Sequence, residues 1–247
     1  KAGVMEEGLE RVSEEGTPQG GVLSALLSNV YLHYALDLWV ERRLRRQFGG
    51  EMYYFRYADD FVACFQYRGE AAAYLRQLSP RLAKFGLSVA ASKTKLLAFG
   101  RFAEEEARRG GGKPGTFDFL GFTFYCGRTR NGSFKVKRRT SRKKFRSKLA
   151  EYRQWLYRLK TQLKAGEILL RSKRRYAGHL QYYAITDNFE QCQDFGTQLK
   201  WLLFRWLNRR SQRRSYTWER FEAALEWVDW PRVRIHHNLC PFRVEPV

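Results

Sequence analysis

Two adjacent carboxylates, Asp59 and Asp60, are the residues whose types and spacing are best suited to chemistry. They separate two apolar, aromatic-rich runs, 52–58 and 61–67, so the pattern predicts a β-hairpin with the acids at its turn. One interpretation is a solvated turn, which accommodates two acids. However, both residues of a two-residue hairpin loop need positive φ, so Asn-Gly or Asp-Gly is favoured there and Asp-Asp meets the need only moderately. The alternative is a metal site, because carboxylates bind Mg²⁺ and paired ions stabilise the attacking and leaving oxygens of phosphoryl transfer.

The positive charge of the chain is concentrated in its second part. The 247 residues are 44% hydrophobic and 16% aromatic, which predicts a folded protein of one large or two modest domains and excludes a disordered chain. The formal net charge is +21, of which residues 1–100 contribute +2 and residues 101–247 contribute +19. A basic segment of this kind predicts a phosphate backbone as partner, with an anionic membrane surface as the alternative.

The cysteines and the longest apolar stretch exclude several classes of protein. Cys64, Cys126, Cys192 and Cys240 are 62, 66 and 48 residues apart, so they form no zinc ribbon and favour reduced thiols in the cytoplasm. The stretch 22–40 contains Asn29, His33 and Asp37, so we expect an amphipathic helix and no membrane span. Its predicted apolar stripe is Leu23, Leu27, Val30, Tyr34 and Leu38. No leader follows Lys1, and we expect the chain to be a fragment.

The remaining pattern predicts a mixed region followed by a helical one. We expect a shaped loop at 8–21, which ends in the motif at 16–21, and a helix at 69–84. Strands are expected at 87–90 and 94–99, followed by a linker at 100–115 and a strand at 117–126 that pairs with 133–137 across Asn131-Gly132. Ser141 is the predicted N-cap of a first long helix whose apolar stripe ends at Gly166, and helices at 168–185 and 195–207 complete a small bundle. The fold class is therefore α+β, with an antiparallel sheet and helices followed by an α-helical bundle. The boundary between the mixed region and the basic helical region is expected near residue 138.

The order of several short motifs resembles one enzyme family. Tyr57-Ala58-Asp59-Asp60 resembles the active-site box of reverse transcriptases. Residues 16–24 are similar to the preceding box of the group II intron branch, and residues 85–88 with 92–95 are similar to the following one. Phe119-Leu120-Gly121-Phe122 resembles the primer grip, residues 180–184 the thumb or maturase helix, and residues 207–221 the bacterial maturase C-terminus. The resemblance covers nearly the whole chain.

The resemblance implies a right-hand polymerase. Residues 1–138 would be a partial palm, 139–210 the helical thumb or maturase domain, and 211–247 a C-terminal maturase extension. Asp59 would bind catalytic Mg²⁺, with Asp60 assisting, in a two-ion site. The residues implied in the nucleotide and template pocket are Tyr57, Ala58, Pro18, Gln19, Gly20 and Lys93, and those implied in the primer grip are Phe119, Leu120, Gly121 and Phe122.

Two of these assignments have a structural alternative. Lys93 is equally explained as a surface lysine that caps a strand. A buried apolar strand explains most of the residue types in the primer-grip motif. It does not explain Gly121, because a glycine inside a strand usually marks a close backbone approach.

The two-metal reaction needs a third carboxylate, which the family carries on an earlier strand. The acids before Gly16 are in no apolar strand pattern, so none is a credible substitute; they are Glu6, Glu7, Glu10, Glu14 and Glu15. We therefore expect the chain alone to be inactive in polymerisation. The full-length protein, or an N-terminal fragment that supplies the other half, would complete the site. A homodimer is the alternative partner.

The basic region predicts a nucleic-acid interface. No acidic residue lies between Asp118 and Glu151, whereas residues 128–148 contain 11 Lys and Arg. Contacts of this kind bind phosphates and position a duplex without reading its sequence. The predicted RNA-binding residues are Arg138, Arg139, Arg142, Lys143, Arg146, Arg153 and Lys160. Trp155, Tyr157 and Trp201 are either core residues or stacking partners for bases.

The leading interpretation is an RNA-directed DNA polymerase of the group II intron type with an RNA-binding maturase thumb. Its partners would be an intron RNA template, a DNA primer or target, and dNTPs. The first alternative is a non-enzymatic splicing cofactor that folds intron RNA with the same surface. The second is a relative that serves CRISPR adaptation or phage defence, which genomic neighbours would distinguish.

Overall fold

The computed structural model describes residues 3–6, 9–12, 22–159, 162–209 and 216–239, with side chains from residue 23 onwards. It contains two compact units, Lys1–Ala98 and Phe99–Val247. Both helices and small antiparallel sheets are present, so the α+β fold class is confirmed. The division after Ala98 separates two groups of residues that pack mainly among themselves. The predicted functional boundaries near residues 138 and 210 stay predictions.

The first unit contains two antiparallel hairpins and a long interrupted helix. Strands β1 (Gly3–Glu6) and β2 (Leu9–Val12) pair with each other. The expectation that the acids before Gly16 lie in no strand is therefore wrong for Glu6 and Glu10, and the loop predicted at 8–21 is wrong for Leu9–Val12. Strands β3 (Met52–Tyr57) and β4 (Asp60–Phe65) form the predicted carboxylate hairpin. Helix α1 (Val22–Leu32) continues through two π-helical turns, His33–Asp37 and Val40–Leu44, into α2 (Arg45–Gln47). Helix α3 (Arg68–Ala83) follows β4 and confirms the helix predicted there.

The core of the first unit lies on a different helix face from the predicted one. Leu36, Trp39, Val40 and Leu44 are buried together with side chains of β3 and α3. The predicted stripe is wrong for this unit, since Leu23, Leu27, Val30 and Tyr34 are all exposed. Leu23, Leu27 and Val30 precede the π-helical turns, so the turns do not account for their exposure. Both sides of this helix carry apolar residues, so the helical pattern alone does not indicate which side the core covers.

The strands predicted at 87–90 and 94–99 are absent from the described part of the chain. Leu87 follows the end of α3, and both Leu87 and Val89 pack against the core without joining a sheet. Residues 91–93 form a turn, closed by a hydrogen bond from the Lys93 amide to the Ala90 carbonyl. A run of β-prone residues becomes a strand only when it finds a pairing partner, which composition alone does not reveal.

The second unit begins with a short helix and a three-stranded sheet. Helix α4 (Ala103–Arg109) lies within the stretch predicted to be a linker. Strands β5 (Phe117–Phe119), β6 (Phe122–Arg128) and β7 (Phe134–Thr140) are antiparallel in the order β5-β6-β7. The hairpin across Asn131-Gly132 is confirmed, but the single strand predicted at 117–126 is wrong, because the chain reverses direction at Leu120 and Gly121.

The sheet is followed by a helical bundle made of α5 (Arg142–Leu159), α6 (Ala165–Tyr183), α7 (Phe189–Leu207) and α8 (Trp218–Trp227). The N-cap at Ser141 is confirmed, since its Oγ accepts the Lys144 amide at 3.3 Å. The first helix ends before Gly166, which lies in the first turn of α6, and α8 was not predicted. Leu156, Leu180, Leu199 and Phe221 are among the fully buried side chains of this bundle. No helix among the described residues is both long and apolar enough to cross a membrane.

Candidate active site and nucleic-acid interface

The carboxylate pair occupies the apex of the β3-β4 hairpin. Tyr57 pairs with Asp60, so the two loop residues are Ala58 and Asp59, and the expectation that the two acids form the loop is wrong by one residue. Both carboxylate side chains are exposed. Ala58 has φ of 52°, a left-handed conformation that costs a non-glycine residue about 1–2 kcal/mol. Such a residue persists only where its surroundings enforce the conformation.

Arg56, on the strand before the turn, holds Ala58 in this conformation through hydrogen bonds. Its Nη1 donates to the Ala58 carbonyl oxygen at 2.9 Å and to the Asn29 side-chain oxygen at 2.9 Å. Its Nε and Nη2 donate to the two carboxylate oxygens of Asp37 at 2.7 and 2.6 Å. The guanidinium therefore connects the helical segment to the backbone of the strained turn, and its side chain is only 12% exposed.

The Arg56–Asp37 pair also fixes the charge state of both partners. The hydrogen bond from Arg56 lowers the pKa of the Asp37 carboxyl, and the same bond raises the pKa of Arg56. His33 Nδ1 lies 3.3 Å from the second Asp37 oxygen and contributes in the same direction. Sequence reasoning missed this pair. The available signal was a charged residue within each of two apolar segments, since a partly buried charge requires a partner.

Asp59 and Asp60 fit Mg²⁺ by the chemistry of their donors. Their oxygens are hard anionic ligands, both are accessible, and they are adjacent at a turn whose backbone is held in place. Among the residues that the structure describes, no group of three or more His, Cys, Asp or Glu side chains is placed to enclose a metal ion. The two carboxylates would therefore supply only part of an octahedral shell, and substrate phosphates and water are the usual other ligands of Mg²⁺.

The predicted nucleotide-pocket residues are only partly placed by the structure. Tyr57 is 67% exposed at the end of β3 and is adjacent to Ala58 in the turn. Lys93 is exposed in the turn that follows α3, so it is the surface lysine of the structural alternative, but the described residues after it form no strand for it to cap. Pro18, Gln19 and Gly20 lie outside the described residues.

The four predicted primer-grip residues form a tight turn in the second unit, which we call the grip turn (Phe119–Phe122). Leu120 has φ of 49° and Gly121 has φ of 79°, and positive values at both central residues are the signature of a type I′ hairpin turn. The close approach expected at Gly121 is confirmed, because a Cβ there would lie 3.0 Å from the Tyr183 hydroxyl oxygen. Glycine is thus favoured at this position both by conformation and by space.

The basic residues of the second unit form a groove beside this turn. Its cavity has a volume of about 480 Å³, and three arginines line it. The full lining is Thr123, Arg139, Thr140, Arg142, Phe145, Arg146, Leu149, Gln191 and Gln198. No carboxylate lines this groove, so its described lining is cationic and polar with an apolar floor. The structure thus brings three of the predicted RNA-binding arginines together on β7 and α5.

The other predicted RNA-binding residues are placed differently. Lys143 and Arg153 are exposed on α5, whereas the Arg138 side chain is only 20% exposed and lies 4.0 Å from the Asp187 carboxylate. Arg138 therefore has a structural ion partner. Lys160 lies outside the described residues.

The three candidate stacking aromatics also differ in exposure. Trp155 packs against the core of the bundle, while Tyr157 and Trp201 are 62% and 53% exposed. Tyr157 contacts the ring of Trp206 and Trp201 contacts the ring of Trp218, so the core alternative is supported most directly for Trp155.

A comparison with models of known families finds a match in the first part of the chain. Residues 4–124 match the family model described as Reverse transcriptase (RNA-dependent DNA polymerase). The matched segment includes the carboxylate hairpin and the grip turn. No curated protein matches the chain.

Proposed function

We propose, from the reverse transcriptase domain over residues 4–124, that this chain provides the catalytic hairpin, primer grip and thumb of a group II intron-type RNA-directed DNA polymerase with maturase activity. The domain supports RNA-directed DNA polymerase activity in general, with a nucleic-acid template, a primer and dNTPs as substrates. The order of the short motifs supports the group II intron type. The three described cysteines are free thiols, which fits the proposed cytoplasmic location.

The observation that carries the proposal is the exposed carboxylate pair on a turn that is strained and held in place. Asp59 would be the principal ligand of catalytic Mg²⁺, and Asp60 would assist at the same site. When bound there, two Mg²⁺ ions would stabilise the attacking primer hydroxyl and the leaving pyrophosphate. The contribution of the protein is position, because Arg56 fixes the Ala58 carbonyl and with it the backbone that carries Asp59.

The second unit supplies the surfaces that the reaction needs for its nucleic acid. The grip turn would hold the primer terminus. The groove lined by Arg139, Arg142 and Arg146 would bind phosphates of the template–primer duplex or of the intron RNA. Because such contacts go to phosphates, the groove would position a duplex without selecting its sequence.

Primer extension tests the proposal. An RNA template with a DNA primer, Mg²⁺ and four dNTPs is incubated with the purified chain and, separately, with the full-length product of its gene. We expect any preparation that extends the primer to lose at least a hundredfold in rate on Asp59→Asn, whereas Asp118→Asn, which changes an exposed acid beside the grip turn, retains activity. Extension that survives Asp59→Asn would contradict the proposal. The comparison of the two preparations also tests the expected inactivity of the chain alone.

The cationic groove favours a second candidate function, a splicing cofactor that binds intron RNA without polymerisation. Its residues on β7 and α5 require no carboxylate pair. The two functions separate in an intron-splicing assay, because a pure cofactor would keep splicing activity with both Asp59→Asn and Asp60→Asn and would extend no primer in either preparation.

A further inference from the structure

The grip turn holds a leucine in a conformation that leucine does not favour. In a type I′ turn both central residues adopt positive φ, and Asn-Gly or Gly-Gly is preferred for that reason. Here the first central residue is Leu120 at φ 49°. Because a branched side chain at positive φ is strained, the turn requires contacts from outside the hairpin to keep this shape.

Those contacts come from helix α6 and from the residue that caps α5. The Tyr182 hydroxyl donates to the Leu120 carbonyl oxygen at 2.9 Å, across 62 residues of sequence. The Ser141 amide donates to the Gly121 carbonyl oxygen at 2.9 Å. Both central carbonyl oxygens of the turn are therefore occupied by donors from the helical bundle.

The rings of α6 also cover the turn. The Phe122 ring stacks on Tyr182 with centroids 5.7 Å apart and planes 20° apart, and it contacts Tyr183 at 5.2 Å. Tyr182 is 52% exposed, whereas Tyr183 and Phe122 are buried. Tyr182 is therefore less covered by the core than its neighbour, and its hydroxyl hydrogen-bonds to the turn itself.

We propose that Tyr182 is a positioning residue of the primer grip, which keeps Leu120 and Gly121 in the type I′ conformation that the primer end contacts. The inference rests on the proposed function for its consequence, since it assumes that the grip turn contacts a primer. The hydrogen bond itself lies within the second unit and can be tested without a polymerase assay.

Hydrogen exchange of the full 247-residue chain tests the hydrogen bond. Tyr182→Phe removes one hydroxyl and leaves the ring. We expect amides of residues 117–124 to exchange about threefold to tenfold faster, the effect of one lost neutral hydrogen bond, while residues 134–140 are unchanged. The matched control is Tyr157→Phe, an exposed tyrosine of the same bundle whose ring packs against Trp206. Equal exchange in the wild-type chain and the Tyr182→Phe variant would overturn the proposal.

A rescue experiment keeps the test decisive if Tyr182→Phe also lowers the melting temperature. Leu120→Asn creates the favoured Asn-Gly pair, so the turn should no longer depend on the tyrosine. In the wild-type background, we expect Tyr182→Phe to accelerate exchange at 117–124 several fold. In the Leu120→Asn background, we expect the same substitution to accelerate it less than twofold. An equal acceleration in both backgrounds would show that Tyr182 acts on general stability and would overturn the proposal.

The link to the primer has its own readout. Binding is measured by fluorescence anisotropy with a duplex that has a recessed primer 3′ end and with a blunt duplex of the same length. We expect Tyr182→Phe to reduce the preference for the recessed end threefold or more and to leave affinity for the blunt duplex unchanged. Equal loss on both duplexes would overturn the positioning role. If the wild-type chain has no preference for the recessed end, the proposed grip function fails while the exchange result stands.

Discussion

The guanidinium of Arg56 meets the carboxylate of Asp37 through two hydrogen bonds, from Nε to Oδ1 at 2.7 Å and from Nη2 to Oδ2 at 2.6 Å. This bidentate geometry leaves Nη1 directed at the Ala58 carbonyl oxygen. One side chain therefore connects a π-helical turn to the backbone beside the carboxylate pair. Arginine suits this role because its donors have fixed relative directions, whereas lysine has a single ammonium group.

The first prediction concerns this arginine. We expect Arg56→Lys to lower the free energy of unfolding by about 1–3 kcal/mol, because a lysine cannot satisfy Asp37 and Ala58 together and leaves a partly buried acceptor unpaired. The control is Arg45→Lys in the exposed pair with Glu41 on the same helical segment, with an expected change below about 0.5 kcal/mol. Urea unfolding measures both variants. Equal effects would show that the buried pair has no special role.

The second prediction concerns the strained residue that Arg56 holds. We expect Ala58→Gly to raise the free energy of unfolding by about 0.5–1 kcal/mol, since relief of the left-handed strain exceeds the entropy that glycine loses on folding. Ala63→Gly, in the regular part of β4, should lower it by a similar amount. A decrease for Ala58→Gly in urea unfolding would mean that the turn is unstrained.

The sequence predicts the carboxylate hairpin well because its signal is local. Alternating β-prone residues on both sides of two acids define the strands, and only the loop position shifts by one residue. Arg56 and Asp37 could not be paired in this way, since the contact joins segments 19 residues apart and depends on where a π-helical turn places Asp37.

The grip turn is the opposite case, in which the local sequence pattern predicts the wrong structure. Phe119, Leu120 and Phe122 fit an apolar strand, and only Gly121 signals otherwise. The chain reverses there because α6, which lies some 60 residues later in the sequence, provides the donor from Tyr182. A conformation imposed by distant contacts has no local pattern from which to predict it.

The third prediction is a pH dependence of stability that originates in His179. Burial, with a smaller effect of Lys148, lowers the pKa of this imidazole from 6.5 to about 4, and its ring stacks on Phe195 at 3.7 Å. The unfolded chain binds the proton more readily, so stability is complete above about pH 6.5 and falls as the pH is lowered towards 4, by up to about 3 kcal/mol.

Urea unfolding between pH 7 and pH 5 measures this dependence. We expect His179→Gln to flatten the profile in that window. A profile with the same slope in the wild type and in His179→Gln would refute the assignment.

The fourth prediction concerns the cationic groove. We expect Arg142→Ala with Arg146→Ala to weaken binding of structured RNA and to reduce the slope of log affinity against log salt by about one to two. Arg108→Ala removes an exposed arginine that is already paired with Glu104 on α4, and we expect its salt slope to equal that of the wild type. Filter binding at several ionic strengths measures all three proteins. An unchanged slope in the double variant would remove the groove from the RNA interface.

The most direct test of the account is the location of the bound metal. Fe²⁺ replaces Mg²⁺ in the preparation that extends a primer, either the chain alone or the full-length protein, with template–primer and a non-hydrolysable dNTP analogue bound. Hydroxyl radicals then cut the backbone next to the ion. We expect cleavage within a few residues of Asp59 and its loss in Asp59→Asn and Asp60→Asn, with Asp118→Asn cut as in the wild type. Cleavage elsewhere, or a hairpin cut that survives both substitutions, would contradict the claim that these carboxylates bind the catalytic metal.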